Sequence, residues 1–482
     1  MPNERPNILF YCTDQQRADL LGCMGHPGIR TPNIDALAQR GVVLSNLYVQ
    51  GTVCMPSRAS IMTGRYPCVH GVTDNGYNLP EHERTFAHTF RDAGYHTLAV
   101  GRTHVSCSRR SQPHPVLPQN YHGFTECHHT QCYWEGLDPH GDYLNWIRTE
   151  HPEWYNEAAT PTPVDRLDAH CASWSKLPPE LTMNAWVTDR SLAVIRNHRE
   201  KRAGQPFLLW AGTWDPHSRF LVPAPWDRMY PPESIPLPVR REGELDDLPP
   251  HYRKNAHTAW PRCPGVPFDE VIRNTLSIYW GTISFIDDQF GRLLRGLDDM
   301  GCLDNTIIVF TSDHGDQCGD HWVWHKGPYW FDGALRIPGV IAAPAGMLKH
   351  GLRADALVET VDFYPTLCEM AGIAAPPQVQ GRSCLGLLEG RTCEHRTDAY
   401  TEYQAHVGCT EQMFSLRDER YRIVVYRDRP YGELYDYQTD PDSLHNRWAH
   451  PDYREVRERL TARLTNRLMA NLERPDTRED WW

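Results

Sequence analysis

In this 482-residue chain, the residues best suited to chemistry stand just past short apolar runs. PNILFYCT delivers Asp14 and then Gln15, and TIIVFTS delivers Asp313 and His314. TLAVG is followed by Arg102 and His104, and FLLWAG by Asp215 and His217. Carboxylate oxygens together with an imidazole can hold a divalent metal. Asp14, Asp313 and His314 are therefore a candidate ligand set, and the carbonyl oxygen of Gln15 is either a neutral ligand or a substrate contact. Cys54 heads the stretch CMPSRASIMTGR, where a loop turns into a helix. A thiol at a helix N-terminus has a lowered pKa, so a thiolate nucleophile is physically available there. Arg58 lies one helical turn on and can point back at the same site. Taken singly, each has a plain alternative: a structural cysteine, a polar turn or a surface arginine. Their joint placement at strand ends favours a metal site that includes Cys54.

The elements that must position these groups alternate in type. PNILFYCTD, GVVLSNLYV, HTLAVG, PFLLWAG and NTIIVFTS read as buried strands. TPNIDALAQRG reads as a helix capped by Thr31 or Asn33 and ended by Gly41. HTFRDAG, VIRNTLSIYWGTISFIDDQFGRLLRGLDDMG and LVETVDFYPTLCEMAG also read as helices. This βα alternation predicts an α/β fold, a large mainly parallel sheet flanked by helices, with its site at the carboxyl ends of the strands. Past residue 394 the pattern changes to short antiparallel strands and a charged helix. We therefore expect a catalytic domain over 1–394 and a small C-terminal α+β subdomain over 395–482. The proline-rich span from Pro223 to Pro267 is expected to run over the surface near the substrate entrance.

Bulk properties narrow the partners. Net charge is −12, which argues against nucleic acid and against an anionic membrane surface. An anionic substrate would then need local positive charge or a metal. The first residues lack the basic start, long apolar region and cleavage site of a signal peptide, so a cytoplasmic location is expected. The 15 cysteines are scattered and odd in number, which suits reduced thiols. Two zinc-like spacings are set aside. His321 and His325 have metal-helix spacing but Trp322 stands where a general base is needed, and Cys127 to Cys132 has no second cluster.

CMPSRASIMTGR fits a Cys-x-Pro-Ser-Arg pattern followed by Thr-Gly-Arg, and so resembles the signature of the sulfatase family within the alkaline phosphatase superfamily. TDQQRADLLG, GRTH, WDPHSRF, TSDHGDQCGDHWVWHKG and ELYDYQTDPDSLHN resemble further landmarks of that family, in its order. The resemblance implies that Cys54 is oxidised to formylglycine by a formylglycine-generating enzyme. It also implies a small anionic ester substrate, one divalent metal and self-association. His217 and Lys326 match family cations, Arg102 stands where the family usually has lysine, and His104 matches the family's histidine. Asn75 corresponds to a substrate contact of the phosphonate monoester hydrolase branch. The pairs Asp14–Gln15 and Asp313–His314 also resemble that branch. A nitrogen ligand and fewer carboxylates favour manganese, with calcium, magnesium and zinc open.

The implied chemistry is hydrolysis of aryl, alkyl or sugar sulfate monoesters. The hydrated aldehyde at position 54 attacks, and Arg58, Arg102 and Lys326 stabilise the non-bridging oxygens. His217, with Lys326, protonates the leaving alcohol, and His104 is the base that releases sulfate. Phosphonate monoester or phosphodiester hydrolysis at the same residues is the alternative. A non-catalytic anion-binding protein is a third reading.

Overall fold

The computed structural model describes residues 5–106, 121–130, 141–160, 172–258, 265–404 and 411–471. Its centre is an eight-stranded sheet in the order Leu352–Glu359, Gly41–Tyr48, Gly339–Ala342, Thr306–Ser312, Asn7–Thr13, Phe207–Gly212, His96–Gly101 and Glu126–His129. Every neighbouring pair is parallel except the two made by Gly339–Ala342. The strands are almost wholly buried because helices cover both faces, as a parallel sheet requires. Alternation along Asn7–Thr13 shows the two layers. Leu9 and Tyr11 enter one core cluster, whereas Ile8, Phe10 and Cys12 enter the other. Phe10 stacks on Trp210 with ring centroids 5.0 Å apart, a contact worth about 0.5–1.5 kcal/mol beyond burial.

The register sets the level of the site. Thr13 lies opposite Ser312, Cys12 opposite Gly212, and Gly101 opposite Gly212. The ladder continues one residue further, with Asp313 N donating to Thr13 O at 3.2 Å and Arg102 N donating to Gly212 O at 2.8 Å. Asp14, Arg102 and Asp313 therefore leave three different strands side by side. Gly101 has φ +82, and a Cβ there would sit 2.0 Å from Gly212 O, so only glycine allows this approach.

One expected helix is largely something else. In LVETVDFYPTLCEMAG, the first three residues complete the strand Leu352–Glu359, which pairs with Gly41–Tyr48. A 3-10 turn, Thr360–Asp362, follows, and the helix is only Phe363–Met370. Glu359 N donates to Asp362 Oδ2 at 3.1 Å, so a capping pair placed the helix start later than apolar spacing suggested.

The C-terminal part forms a four-stranded antiparallel sheet, Ala399–Tyr403, Met413–Arg417, Tyr421–Tyr426 and Gly432–Asp436, with the helix Arg454–Asn471 across it. Leu416, Ile423, Leu434, Leu460 and Leu464 share its core. The described part of the proline-rich span packs against the loop that carries Lys326. His321 N donates to Val239 O at 2.8 Å, and Trp322 Nε1 donates to Arg241 O at 2.8 Å. Among the described residues, no helix is long and apolar enough to cross a membrane.

Candidate active site

The helix Cys54–Thr63 is buried along its whole length and begins at the cysteine. Pro56 falls in its first turn, where a missing N–H costs nothing. Gly51 permits the tight entry, since a Cβ there would lie 2.6 Å from the Pro56 Cβ. The helix delivers Cys54 to the strand ends. Cys54 Sγ lies 3.1 Å from His314 Nε2 and 3.6 Å from Asp14 Oδ1. Ligand atoms of Asp14, Cys54, Asp313 and His314 all lie within 4.8 Å of one another, and all four residues are buried.

Arg58 neutralises this floor. Its Nε donates to Asp313 Oδ2 at 2.7 Å, one terminal nitrogen donates to Asp14 Oδ2 at 3.1 Å, and the other donates to Arg102 O at 2.8 Å. Burial opposes a charged Asp14, but the Arg102 and Arg58 guanidiniums outweigh it and hold the carboxyl well below its usual range. Asp215 behaves oppositely. Burial and the charge on Asp14 push it up to about 8, so it adds no further negative charge.

The donor set suits a divalent cation. Two carboxylates and an imidazole converge with the position 54 side chain, and His314 Nδ1 donates to Gly315 O at 2.9 Å, which leaves Nε2 facing the cluster. A backbone carbonyl behind a ligating histidine fixes the tautomer in this way. A carboxylate–imidazole–oxygen set fits manganese and excludes none of the other three ions.

Around this floor stand three partly exposed nitrogen side chains, His104, His217 and Lys326. Arg102 is buried beneath them. Its Nε lies 2.7 Å from Asp14 Oδ2, its plane covers Trp214 at 4.4 Å, and a terminal nitrogen donates to His104 Nδ1 at 2.7 Å. That edge of the guanidinium is spent inside the protein rather than turned to a substrate. His104 thus meets Arg102, and it carries its neutral proton on Nε2. Burial, then Arg102 and Arg58, hold its pKa well below the ordinary value.

Lys326 donates to both His217 Nε2 and Gln15 Oε1. His217 Nδ1 is bonded to Ser218 O, so the ring is neutral with Nε2 as acceptor. Burial and the Lys326 charge keep it that way. Asn75 Oδ1 accepts from Met55 N at 2.9 Å, capping the helix that carries Cys54 and leaving its amide nitrogen at the exposed rim. Three residues in or beside this site have left-handed backbones: Gln15 at φ 68, His104 at φ 51 and His325 at φ 69. Such conformations cost energy and persist where surrounding structure imposes them.

All the site residues expected from sequence fall in this region. Several others were not singled out. Asp316 accepts from Gln15, Trp214 underlies Arg102, and Tyr279 Oη donates to Gln15 O at 2.8 Å. Asp316 had a signal, an acid two residues past His314. Trp214 and Tyr279 had none. His321 and His325 diverge. His321 pairs with Glu244 at 2.6 Å, and His325 Nδ1 lies 3.6 Å from Asp316 Oδ2. In the other zinc-like stretch, His128 pairs with Glu126 at 3.0 Å, and Cys132 lies outside the described residues.

Comparison with known proteins finds relatives along most of the chain. The sulfatase family profile matches residues 6–373, and a profile described as N-sulphoglucosamine sulphohydrolase, C-terminal, matches 319–470. The chain is 30% identical over 464 residues to an arylsulfatase of Clostridium perfringens, covering 94% of this chain and 92% of that one. It is also 30% identical over 487 residues to a multifunctional alkaline phosphatase superfamily protein of Trinickia caryophylli, covering 93% and 92%. Among solved structures, a phosphonate monoester hydrolase from Silicibacter pomeroyi superposes with a TM-score of 0.82 at 27% identity, covering 97% and 96%. The chain belongs to the sulfatase family of the alkaline phosphatase superfamily, a family of hydrolases.

Proposed function

We propose that this protein hydrolyses sulfate monoesters, with a formylglycine made from Cys54 as nucleophile. The observation that carries the reading is the seat of Cys54, at the start of a buried helix and inside a group of two carboxylates and an imidazole. The thiol sulfur seen here stands in for the oxygens of the matured side chain. A divalent cation held by Asp14, Asp313 and His314 with position 54, manganese first among candidates, would supply Lewis acidity toward the nucleophile and the ester oxygens.

The chain's own residues do the rest. Arg58 pairs with Asp14 and Asp313 and holds both in place. Lys326 holds its proton at Nζ against His217 Nε2, so this pair is the source of the leaving group's proton and Lys326 carries it at rest. His104 offers Nε2–H to a substrate oxygen in the resting state. Asn75 is exposed and bonded to the start of the Cys54 helix, and Gln15 is buried against Lys326. With Arg58, Arg102 and Lys326 against Asp14 and Asp313, the site favours an anion despite the chain's overall charge of −12.

Phosphonate monoester hydrolysis is the second reading. The pairs Asp14–Gln15 and Asp313–His314, and the likeness to a phosphonate monoester hydrolase, favour it. The deciding experiment compares kcat/KM for matched aryl sulfate and aryl phosphonate esters, using protein co-expressed with a formylglycine-generating enzyme. We expect sulfate to be preferred, with weaker phosphonate turnover. Preference for the phosphonate reverses the ranking, and activity on neither overturns both.

A further inference from the structure

We propose that a cleft at the amino ends of the central strands binds an organic phosphate monoester, held by Arg5, Arg199 and Arg202. The cleft has a volume of about 330 Å³, and Asn7, Gln205, Phe207 and Asn305 line it beside the three arginines. Among the described residues, no aspartate or glutamate stands in its wall. It lies at the far edge of the sheet from Cys54. Asn7 and Phe207 are the first residues of the strands Asn7–Thr13 and Phe207–Gly212, and Asn305 directly precedes Thr306–Ser312. Asp14 and Asp313 leave the other ends of two of these strands, and a strand of this length spans about 20 Å. The second site is therefore independent of which ester the catalytic centre takes.

The three guanidiniums come from two separate parts of the chain, and all three residues are exposed. Arg199 lies in the last turn of the helix Met183–Lys201, and Arg202 is its C-cap. Basic residues at that end of a helix offset its dipole, which accounts for this pair alone. It does not account for Arg5, which enters from before the first strand and is tied by Nη1 to Ala93 O at 2.6 Å. That bond leaves its other nitrogens to the cleft. Among the described residues, none of the three pairs with a carboxylate. Two acids near the cleft in the fold or the sequence are engaged elsewhere: Glu126 meets His128 at 3.0 Å, and Asp304 pairs with Arg40 at 3.6 Å. In a chain of net charge −12, three such cations around one cleft with no acid in its wall make a local anion site.

The wall behind the arginines is braced. Gln205 Nε2 donates to Gly94 O at 2.8 Å, and His198 Nε2 donates to Gln205 O at 2.9 Å. Asn7 Oδ1 accepts from Phe207 N at 3.1 Å, which fixes the direction of that amide and leaves its NH2 free to donate. Burial lowers the pKa of His198, so the positive charge here is that of the arginines. Guanidinium groups match phosphate oxygens two at a time. A phosphate monoester, with a second pKa of about 6, is largely a dianion at neutral pH, whereas a sulfate monoester carries one charge. Three guanidiniums favour the dianion. The volume exceeds what a bare oxyanion needs and falls among small-ligand sites, which run about 300–1,000 Å³. It leaves room for a body of monosaccharide size beside the phosphate.

The test is calorimetric titration of the full chain carrying Cys54→Ala, so that no ester is turned over and the outcome is separate from the functional reading above. The probes are glucose 6-phosphate, glucose 6-sulfate and inorganic phosphate. Glucose 6-phosphate should bind more tightly than either of the others. Its affinity should fall about tenfold for each guanidinium removed, in Arg5→Gln and in Arg199→Gln, and further when Arg199→Gln is combined with Arg202→Gln. Lys326→Met alters the catalytic opening and should leave this affinity unchanged. Added salt should weaken binding, a measurement that needs no variant in the cleft. Absence of glucose 6-phosphate binding, parental affinity in the arginine variants, or binding indifferent to salt would overturn the proposal. Loss of binding in Lys326→Met would place the ligand in the catalytic opening instead, and equal or tighter binding of the sulfate would overturn the assignment to phosphate.

Discussion

Arg58 Nε donates to Asp313 Oδ2 at 2.7 Å, and neither side chain reaches solvent. The same guanidinium reaches Asp14 at 3.1 Å. One helix-borne cation thus ties together the ends of two adjacent strands. Removing one partner of a buried pair leaves an uncompensated charge, which costs about 3–5 kcal/mol. Arg58→Ala should lower the urea-unfolding free energy of metal-free protein by that amount. The loss should shrink when a divalent ion is added, because the ion supplies the missing positive charge. Parental stability in the chelated variant would show that Arg58 does not carry this balance.

The ligand set makes a sharper demand. Asp14 and Asp313 come from different strands, and each is held in place by Arg58. Asp313→Ala removes a ligand oxygen and also the acceptor for Gln15 N and His314 N. It should abolish bound metal by elemental analysis and reduce turnover to background. Full metal occupancy in that variant would refute the ligand set.

The site was legible in sequence where a strand delivers a residue directly. Asp14, Arg102 and Asp313 each follow a buried apolar run, and parallel register brings such ends to one level. Legibility failed where loops decide direction. His321 and His325 read as one helical face, yet φ values of 57 and 69 send them to different partners, Glu244 and Asp316. Arg102 read as a partner for the ester's non-bridging oxygens, because sequence could not show that Asp14 and His104 already occupy one of its edges. The C-terminal sheet was clear from its strand–turn rhythm. The late helix start at Phe363 was not, since the capping pair Glu359 and Asp362 only acts once the strand is paired.

Buried histidines outside the site should make the fold acid-sensitive at mild pH. His70 is bonded to Ser60 Oγ at 3.0 Å, and burial, helped by Arg65, lowers its pKa to about 3. A histidine lowered on folding binds fewer protons in the native state than in the unfolded one. Its stabilisation is therefore complete above about 6.5 and drains away as pH falls from there toward 3. His88 and His122, lowered to about 4 mainly by burial, act in the same direction. Melting temperature should fall steadily from pH 7 to pH 5, and His70→Gln should flatten that slope. A flat profile in the parent would contradict the burial of neutral histidines.

The last prediction separates two jobs for His104. A base needs a free lone pair facing the nucleophile, but Arg102 occupies Nδ1 as a donor and leaves the proton on Nε2. In that tautomer the ring donates toward the opening. Glutamine can imitate a donor at this position and cannot act as a base. His104→Gln should therefore keep clearly more activity than His104→Ala, with the gap appearing in kcat/KM. Equal and near-complete losses in both variants would restore the role of base, with the proton moving to Nδ1 during turnover and Arg102 giving way. The Arg102–His104 contact would then be a resting arrangement that the substrate displaces, and kcat in His104→Gln would lose its dependence on pH along with its size.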